Sequence, residues 1–73
     1  MPQALTDEQR QFAAENHNLI YKYLWDRRLE IDDYYDIAVF GYLRAVKRYL
    51  TEPWLRRYQF STVAWHAMRQ NIA

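Results

Sequence analysis

The chain has 73 residues, no cysteine and a formal net charge of +1, and 18% of its residues are aromatic. This length allows one domain at most, built on an aromatic and aliphatic core, and the lack of cysteine excludes disulfides and thiolate metal sites. No apolar run approaches the roughly 18 residues of a membrane span and no signal segment opens the chain, so we expect a cytoplasmic protein that does not bind membranes.

The charged residues are divided unevenly along the chain. Residues 1–43 hold four basic and eight acidic side chains, a formal charge of −4, whereas residues 44–73 hold six basic and one acidic, a formal charge of +5. Such an asymmetry predicts two surfaces with different partners. The alternative is the chance fluctuation that any small domain shows.

A capping box predicts the start of the first helix. Thr6 precedes Gln9 by three residues, the spacing at which the two side chains cap each other's backbone amides. The helical pattern continues through Phe12 and ends near Leu29. We expect a bend at residues 16–18, where polar side chains compete for backbone hydrogen bonds.

The second predicted helix runs from a cap at Asp32 or Asp33 to about Leu50. Its buried stripe has helical spacing and includes Gly41. This glycine indicates a close helix crossing, because a mid-helix glycine otherwise costs about 1 kcal/mol. The stripe consists of Tyr34, Ala38, Gly41, Tyr42, Ala45 and Tyr49.

The opposite face of the second helix carries an apolar strip, formed by Ile37, Phe40 and Leu43. An apolar patch with a charged rim is typical of a protein interface. The alternative is that the first helix covers the strip. The charged residues on the same face are Asp33, Asp36, Arg44 and Lys47.

Residues 51–59 predict a loop, in which we expect Trp54 to fold back onto the bundle, and Ser61 is the expected cap of a third helix. One face of this helix carries the aliphatic side chains of Val63, Ala64, Ala67, Met68 and Ile72. The other face carries Thr62, Trp65, His66, Arg69 and Gln70. An indole, an imidazole, a guanidinium and an amide suit bases and phosphates better than bulk water, so this face predicts nucleic-acid binding.

The elements together predict an all-α fold, a small three-helix bundle whose first helix bends. We expect residues 1–73 to form a single helical domain, and a piece of a longer protein, because the helical pattern continues to the last residues without a capping glycine or proline.

Two segments are distinctive in combination: residues 33–46, DYYDIAVFGYLRAV, and residues 60–72, FSTVAWHAMRQNI. In this order and at this spacing they resemble conserved region two of bacterial RNA polymerase sigma factors, the part that binds core polymerase and opens the minus-ten promoter element. The likeness covers residues 5–73 and implies a region-two fold with a role in transcription initiation.

The resemblance implies that the second predicted helix docks on a coiled coil of the largest subunits of the polymerase core. Where the family usually has Gln followed by Glu, this chain has Asp36 followed by Ile37, which indicates weaker docking or a different partner. An anti-sigma factor is a further candidate partner. The implied contact residues are Asp33, Asp36, Ile37, Phe40 and Leu43.

The resemblance also implies that the third helix and the loop before it hold the non-template single strand of promoter DNA. Tyr58 and Phe60 match aromatic positions at the junction of the open strand. Gln70 matches a residue that reads the upstream edge of the element, and an amide can form two hydrogen bonds with adenine. Arg56 and Arg57 would hold phosphates. Thr62, Trp65, His66 and Arg69 complete the predicted DNA-binding set.

The chain departs from the family at the stacking positions. Val63 stands where housekeeping members have the tyrosine that stacks on the flipped adenine, and His66 and Ala67 stand where they have paired tryptophans. Trp65 lies one position away and is expected to be a partial substitute. The resemblance therefore favours an alternative, divergent sigma factor, such as those carried by mobile elements or used for special regulons.

No residue pattern indicates catalysis, a cofactor or a metal, so we do not expect an enzyme. His17 and His66 are too far apart in sequence to predict a metal pair. Helix capping and a solvated first turn explain the cluster of aspartates at residues 32–36 more simply than acid–base chemistry does.

Two other functions compete with the sigma-factor interpretation. The first is a DNA-binding regulator derived from the same fold that no longer binds polymerase, and Ile37 favours it. The second is a protein-interaction bundle in which the face with Trp65 and Arg69 binds another protein.

Overall fold

The computed structural model describes residues 5–72, and this range contains four α-helices, one short 3-10 helix and no strand. The expected all-α class is therefore confirmed. No helix in the described range is long and apolar enough to cross a bilayer. In chain order the elements are α1 (Asp7–Glu15), α2 (Asn18–Asp26), α3 (Ile31–Thr51), the 3-10 helix (Pro53–Arg57) and α4 (Phe60–Ile72).

The expected bend in the first helix is a break, which makes four helices where three were predicted. The capping box at the start of α1 is confirmed, since the Gln9 amide donates to Thr6 Oγ1 at 3.1 Å and the Thr6 amide donates to Gln9 Oε1 at 3.0 Å. At the end of α1, Asn16 Nδ2 donates to the Phe12 carbonyl at 2.9 Å. The Asn16 amide donates to the same carbonyl at 3.2 Å, so a polar side chain bonds to the backbone at the position that the sequence predicted.

The Tyr42 hydroxyl forms a hydrogen bond with a backbone carbonyl that the helix break leaves without its usual amide partner. The His17 amide donates to the Ala14 carbonyl, one residue later than in a continuous helix. The Tyr42 hydroxyl donates to the Ala13 carbonyl at 2.6 Å. Because the phenol is buried, desolvation raises the pKa of Tyr42 to about 12. The hydrogen bond ties α3 to the α1–α2 junction.

α2 ends at Asp26, three residues before the expected end, in a Schellman turn. The Leu29 amide donates to the Leu24 carbonyl at 2.9 Å, and the Arg28 amide donates to the Trp25 carbonyl at 3.0 Å. Arg28 has a φ of 57°, a left-handed position that glycine usually occupies because a β-carbon makes it costly.

α3 begins at Ile31, with Glu30 at the N-cap position and no side-chain cap. The predicted cap at Asp32 or Asp33 is therefore wrong, and both carboxylates lie in the first turn, where the helix dipole favours negative charge. The predicted stripe faces the core: four of its residues are buried, and Tyr34 and Tyr49 are partly buried. The four buried residues are Ala38, Gly41, Tyr42 and Ala45.

The close helix crossing predicted at Gly41 occurs between α3 and α4. A β-carbon on Gly41 would lie 2.7 Å from the Ala67 carbonyl oxygen and 2.9 Å from Met68 Cα. Both contacts are shorter than van der Waals packing allows, so the backbones of the two helices approach closely only because this residue has no side chain.

The segment predicted as a loop contains the 3-10 helix, and Leu55 packs into the bundle instead of Trp54. Leu55 is 5% exposed, whereas Trp54 is 54% exposed, so the expected packing of Trp54 is wrong. Successive side chains of a 3-10 helix point about 120° apart, and the smaller leucine occupies the inward direction. α4 begins at Phe60, one residue before the predicted cap at Ser61.

Candidate nucleic-acid interface

α4 presents the two faces that its sequence predicts. Ala64 and Met68 are fully buried, and Val63, Ala67 and Ile72 pack partly against the core. Within the predicted DNA-binding set, the residues of α4 that are exposed are Thr62, His66, Arg69 and Gln70. The aliphatic side thus anchors the helix, and its polar side faces outward.

Trp65 differs from the other residues of the outward face because it is half-buried. Its indole meets the ring of Tyr23 edge to face, with 5.1 Å between the ring centroids and an interplanar angle of 89°. Tyr23 is itself buried in α2. Trp65 therefore packs against Tyr23 as one wall of a groove, with part of its surface accessible.

This first groove, which we call the α2 groove, lies between α2 and α4 and has a volume of about 380 Å³. Three cationic side chains line it, and no carboxylate does. A groove with this charge attracts an anionic backbone. The side chains that matter here are Lys22, Arg27, Thr62, Trp65, His66 and Arg69.

Sequence reasoning missed Lys22 and Arg27 as members of the site, because both lie in the acidic half of the chain. Arg27 follows the last residue of α2, and its guanidinium carbon lies 5.9 Å from the centroid of the Tyr23 ring. No spacing within α2 indicates the grouping, since these cations meet Arg69 only when α2 packs beside α4.

A second groove, which we call the α3 groove, lies on the other side of α4, against α3 and the 3-10 helix, with a volume of about 320 Å³. Its floor is apolar and includes Leu55, Val63 and Ala67. Two aromatic rings, two guanidinium groups, an imidazole and an amide line the rest. These belong to Arg44, Arg48, Trp54, Tyr58, His66 and Gln70.

Hydrogen bonds position three side chains of the α3 groove, those of Arg44, Arg48 and Trp54. Glu52 accepts from Arg48 Nε at 2.8 Å and from the Trp54 indole N–H at 3.2 Å. The hydrogen bond from Arg48 lowers the pKa of the Glu52 carboxyl from its usual value. Arg44 donates to Asn71 Oδ1 at 2.8 Å. The charge of Arg48 is therefore partly compensated, and this groove is more aromatic than cationic.

Thr62 and His66 line both grooves. They lie one helical turn apart on α4, so they form a ridge between the two grooves. A strand laid across this ridge would have cations on the side of α2 and two exposed aromatic rings, Trp54 and Tyr58, on the side of α3.

Phe60 does not belong to this surface, although it was predicted to contact DNA. It is 8% exposed and packs edge to face against Phe12, Tyr42 and Tyr49, with centroid distances of 4.7, 5.8 and 5.2 Å. As the first residue of α4, it points beneath the helix into the ring cluster that joins α1 to α3. Its prediction as a stacking residue is corrected to a core residue.

The two arginines before α4 also lie outside both grooves. Arg56 Nε donates to the Tyr49 carbonyl at 2.7 Å, and its guanidinium lies 5.3 Å from the Tyr49 ring centroid. Arg56 therefore caps the carboxyl end of α3, a role that competes with its predicted contact with phosphate. Arg57 is exposed, and its side chain makes no hydrogen bond or ion pair with residues 5–72.

The outward strip of α3 is exposed, so the alternative that the first helix covers it is wrong. Phe40 is 68% exposed and Ile37 is 40% exposed, while Leu43 is half-buried. Asp33 and Asp36 are also exposed. These five residues, which we call the α3 strip, line neither groove.

No protein-family model matches the chain, and comparisons with curated proteins and with solved structures also found no match. Within residues 5–72 no group of three potential metal ligands is placed to hold an ion. The candidate binding surfaces of the described residues are the two grooves and the α3 strip.

Proposed function

We propose that this chain is a transcription-initiation domain similar to region two of sigma factors. It binds the core of RNA polymerase through the α3 strip and the non-template single strand of a minus-ten promoter element through α4. The observation that supports DNA binding best is the α2 groove, which has three cations and no carboxylate beside the exposed face of α4.

The two grooves suit the two needs of a protein that captures unpaired DNA. Cations beside α2 hold the phosphate backbone without reading sequence. Exposed rings stack on unpaired bases, and each stacked base contributes about 1–3 kcal/mol. Trp54 and Tyr58 supply such rings in the α3 groove, which compensates for the burial of Phe60. Gln70, in the same groove, supplies an amide that can read a base edge.

The α3 strip suits a protein partner better than DNA. It combines the exposed side chains of Ile37 and Phe40 with two carboxylates, and acidic groups repel a phosphate backbone. A partner with arginine or lysine beside apolar side chains complements it. Ile37 stands where the resembled family has a charge, so the contact at that position is apolar in this chain.

Two binding measurements test the proposal. Fluorescence anisotropy measures the affinity for a labelled non-template-strand oligonucleotide, alone and with core polymerase, and a pull-down or titration measures the affinity for core polymerase. We expect salt-sensitive oligonucleotide binding, which Trp65→Ala weakens about 5- to 100-fold without changing polymerase binding. Phe40→Ala, the matched aromatic variant on α3, should weaken polymerase binding and leave oligonucleotide binding unchanged. Failure to bind the oligonucleotide at low salt, with or without polymerase, contradicts the proposal.

The exposed apolar side chain of Ile37 favours a second candidate, a DNA-binding regulator that does not bind polymerase. The same two measurements separate it from the first. Retained oligonucleotide binding by a chain with no affinity for core polymerase supports the regulator, and binding to both supports the sigma-type domain.

A further inference from the structure

The most exposed large apolar side chain of the described residues has no part in either groove or in the α3 strip. Trp25, near the end of α2, is 78% exposed. Tyr21, one turn earlier on α2, and Ile31, the first residue of α3, are also exposed. Tryptophan is enriched at the energetic centres of protein interfaces, and neighbouring exposed apolar side chains are typical of an interaction site.

The surface around Trp25 continues onto α3. Trp25 and Ile31 line a groove of about 580 Å³ between the end of α2 and the start of α3. Ile31 and Asp32 also line a neighbouring depression together with Tyr21 and Asp36. The two depressions share Ile31 and Asp32, so one surface of mixed apolar and charged side chains runs from α2 to the second turn of α3.

This surface reaches the α3 strip along one row of the helix. Asp32, Asp36 and Phe40 follow one another at intervals of four residues, which places them on one side of α3 over about 12 Å. Asp36 belongs both to the depression beside Tyr21 and to the α3 strip. The region around Trp25 therefore ends where the α3 strip begins.

The net charge of this combined surface is negative, because four carboxylates face one cation, Arg28, which lines the groove beside Trp25. Glu30, Asp32, Asp33 and Asp36 are all exposed, and none forms a hydrogen bond or ion pair through its side chain with residues 5–72. The helix dipole accounts for acidic side chains in the first turn, but Asp36 lies in the second turn. A partner that covers this surface must therefore supply basic side chains as well as apolar ones.

The α3 strip is too small to form a stable interface by itself. It has five residues, whereas a standard interface uses about 20–30 residues on each side. A partner that docks on α3 must therefore cover adjoining surface. The adjoining surface at the start of α3 offers exposed apolar side chains and unpaired carboxylates of the same character as the strip.

We propose that Trp25 and Ile31 extend the docking surface of α3, and that one segment of the polymerase core with basic and apolar side chains covers the whole surface. This inference rests on the proposed function, because it assigns further contact residues to the same partner. Trp25 is the anchor of the extended surface, and the carboxylates along α3 bind the basic side chains of the partner.

The test compares two exposed tryptophans of this chain in binding to core polymerase. Trp25→Ala should weaken binding about tenfold or more, as loss of an interface anchor does. Trp54→Ala is the matched control, since Trp54 is also exposed but lies in the α3 groove, and it should leave polymerase binding unchanged. Circular dichroism of each variant checks that the fold is retained.

The outcomes separate the inference from the proposed function. If Phe40→Ala weakens polymerase binding and Trp25→Ala does not, the docking surface stops at the α3 strip and the inference is wrong. If the unmodified chain does not bind core polymerase, the proposed function fails and the extended surface fails with it. An equal loss in Trp25→Ala and Trp54→Ala also overturns the inference, because it shows no preference for the surface of α2 and α3.

Discussion

α4 meets its two neighbouring helices in different ways. Against α3, the absence of a side chain at Gly41 brings the helix backbones into contact. Against α2, the rings of Tyr23 and Trp65 meet edge to face, and a groove remains open beside them. We refer to these as the closed contact and the open contact.

The difference shows how a domain of 73 residues combines stability with a binding surface. A small domain has little apolar area to bury, so its core contacts must be close. The closed contact holds α4 in one position on α3. The open contact can then consist of cations that would destabilise a core. The variants below test whether stability and binding are separated in this way.

Gly41→Ala should have the largest effect on stability, because it disrupts the closed contact. The added methyl group meets backbone atoms that cannot move aside, and we expect a loss of about 2–3 kcal/mol in the free energy of unfolding. The measurement is urea denaturation followed by circular dichroism. Helix propensity alone predicts that Gly41→Ala raises the free energy of unfolding by about 1 kcal/mol. The difference in stability between Asp36→Ala and Asp36→Gly measures this preference for alanine over glycine at an exposed position of α3. A more stable Gly41→Ala variant would contradict the close crossing.

Tyr42→Phe should cost about 1–2 kcal/mol, because it leaves the buried Ala13 carbonyl without its hydrogen bond. The pKa of Tyr42 is raised to about 12 from 10.0, so the neutral phenol favours the folded state. The stabilisation that comes from keeping the Tyr42 phenol neutral is complete below pH 10 and declines as the pH rises from 10 to 12. The loss in the free energy of unfolding over this range is at most about 3 kcal/mol. Urea denaturation across this range should show a steeper loss for the unmodified chain than for Tyr42→Phe. Parallel curves would show that Tyr42 is not desolvated.

Arg28→Gly should increase stability by about 0.5–1 kcal/mol, because glycine adopts the left-handed conformation at the end of α2 without strain. Arg27→Gly is the matched control, since Arg27 has a φ of −91° and gains nothing from glycine. Thermal unfolding of both variants measures the difference. Equal changes in the two variants would contradict the assignment of a Schellman turn.

Lys22→Gln should have the smallest effect on stability, within about 0.5 kcal/mol, because the open contact contributes little to the fold. The same variant should also change oligonucleotide binding. The slope of the logarithm of affinity against the logarithm of salt concentration should become shallower by about 0.7, because one phosphate contact is lost. Arg57→Gln removes the same charge outside both grooves and should change the slope less. A larger change in Arg57→Gln would favour the loop before α4 over the α2 groove.

The prediction of the fold from sequence was most accurate where the signal is local. The capping box at Thr6 and the helix break near Asn16 depend on side chains that bond to backbone within four residues. The start of α3 was misplaced because acidic residues suit both a cap and a first turn. Trp54 was misplaced because a loop prediction gives no direction to its side chains, and the 3-10 helix turns Leu55 inward instead.

The helical class, the two faces of α4 and the close approach at Gly41 could be predicted from the residues alone, because each follows from the helical period or from the size of one side chain. Helix packing was needed to reveal that Phe60 is buried, that Arg56 caps α3 and that Lys22 and Arg27 join Arg69 in one groove. These outcomes depend on which helices become neighbours, and residues distant in sequence meet only when the core is packed.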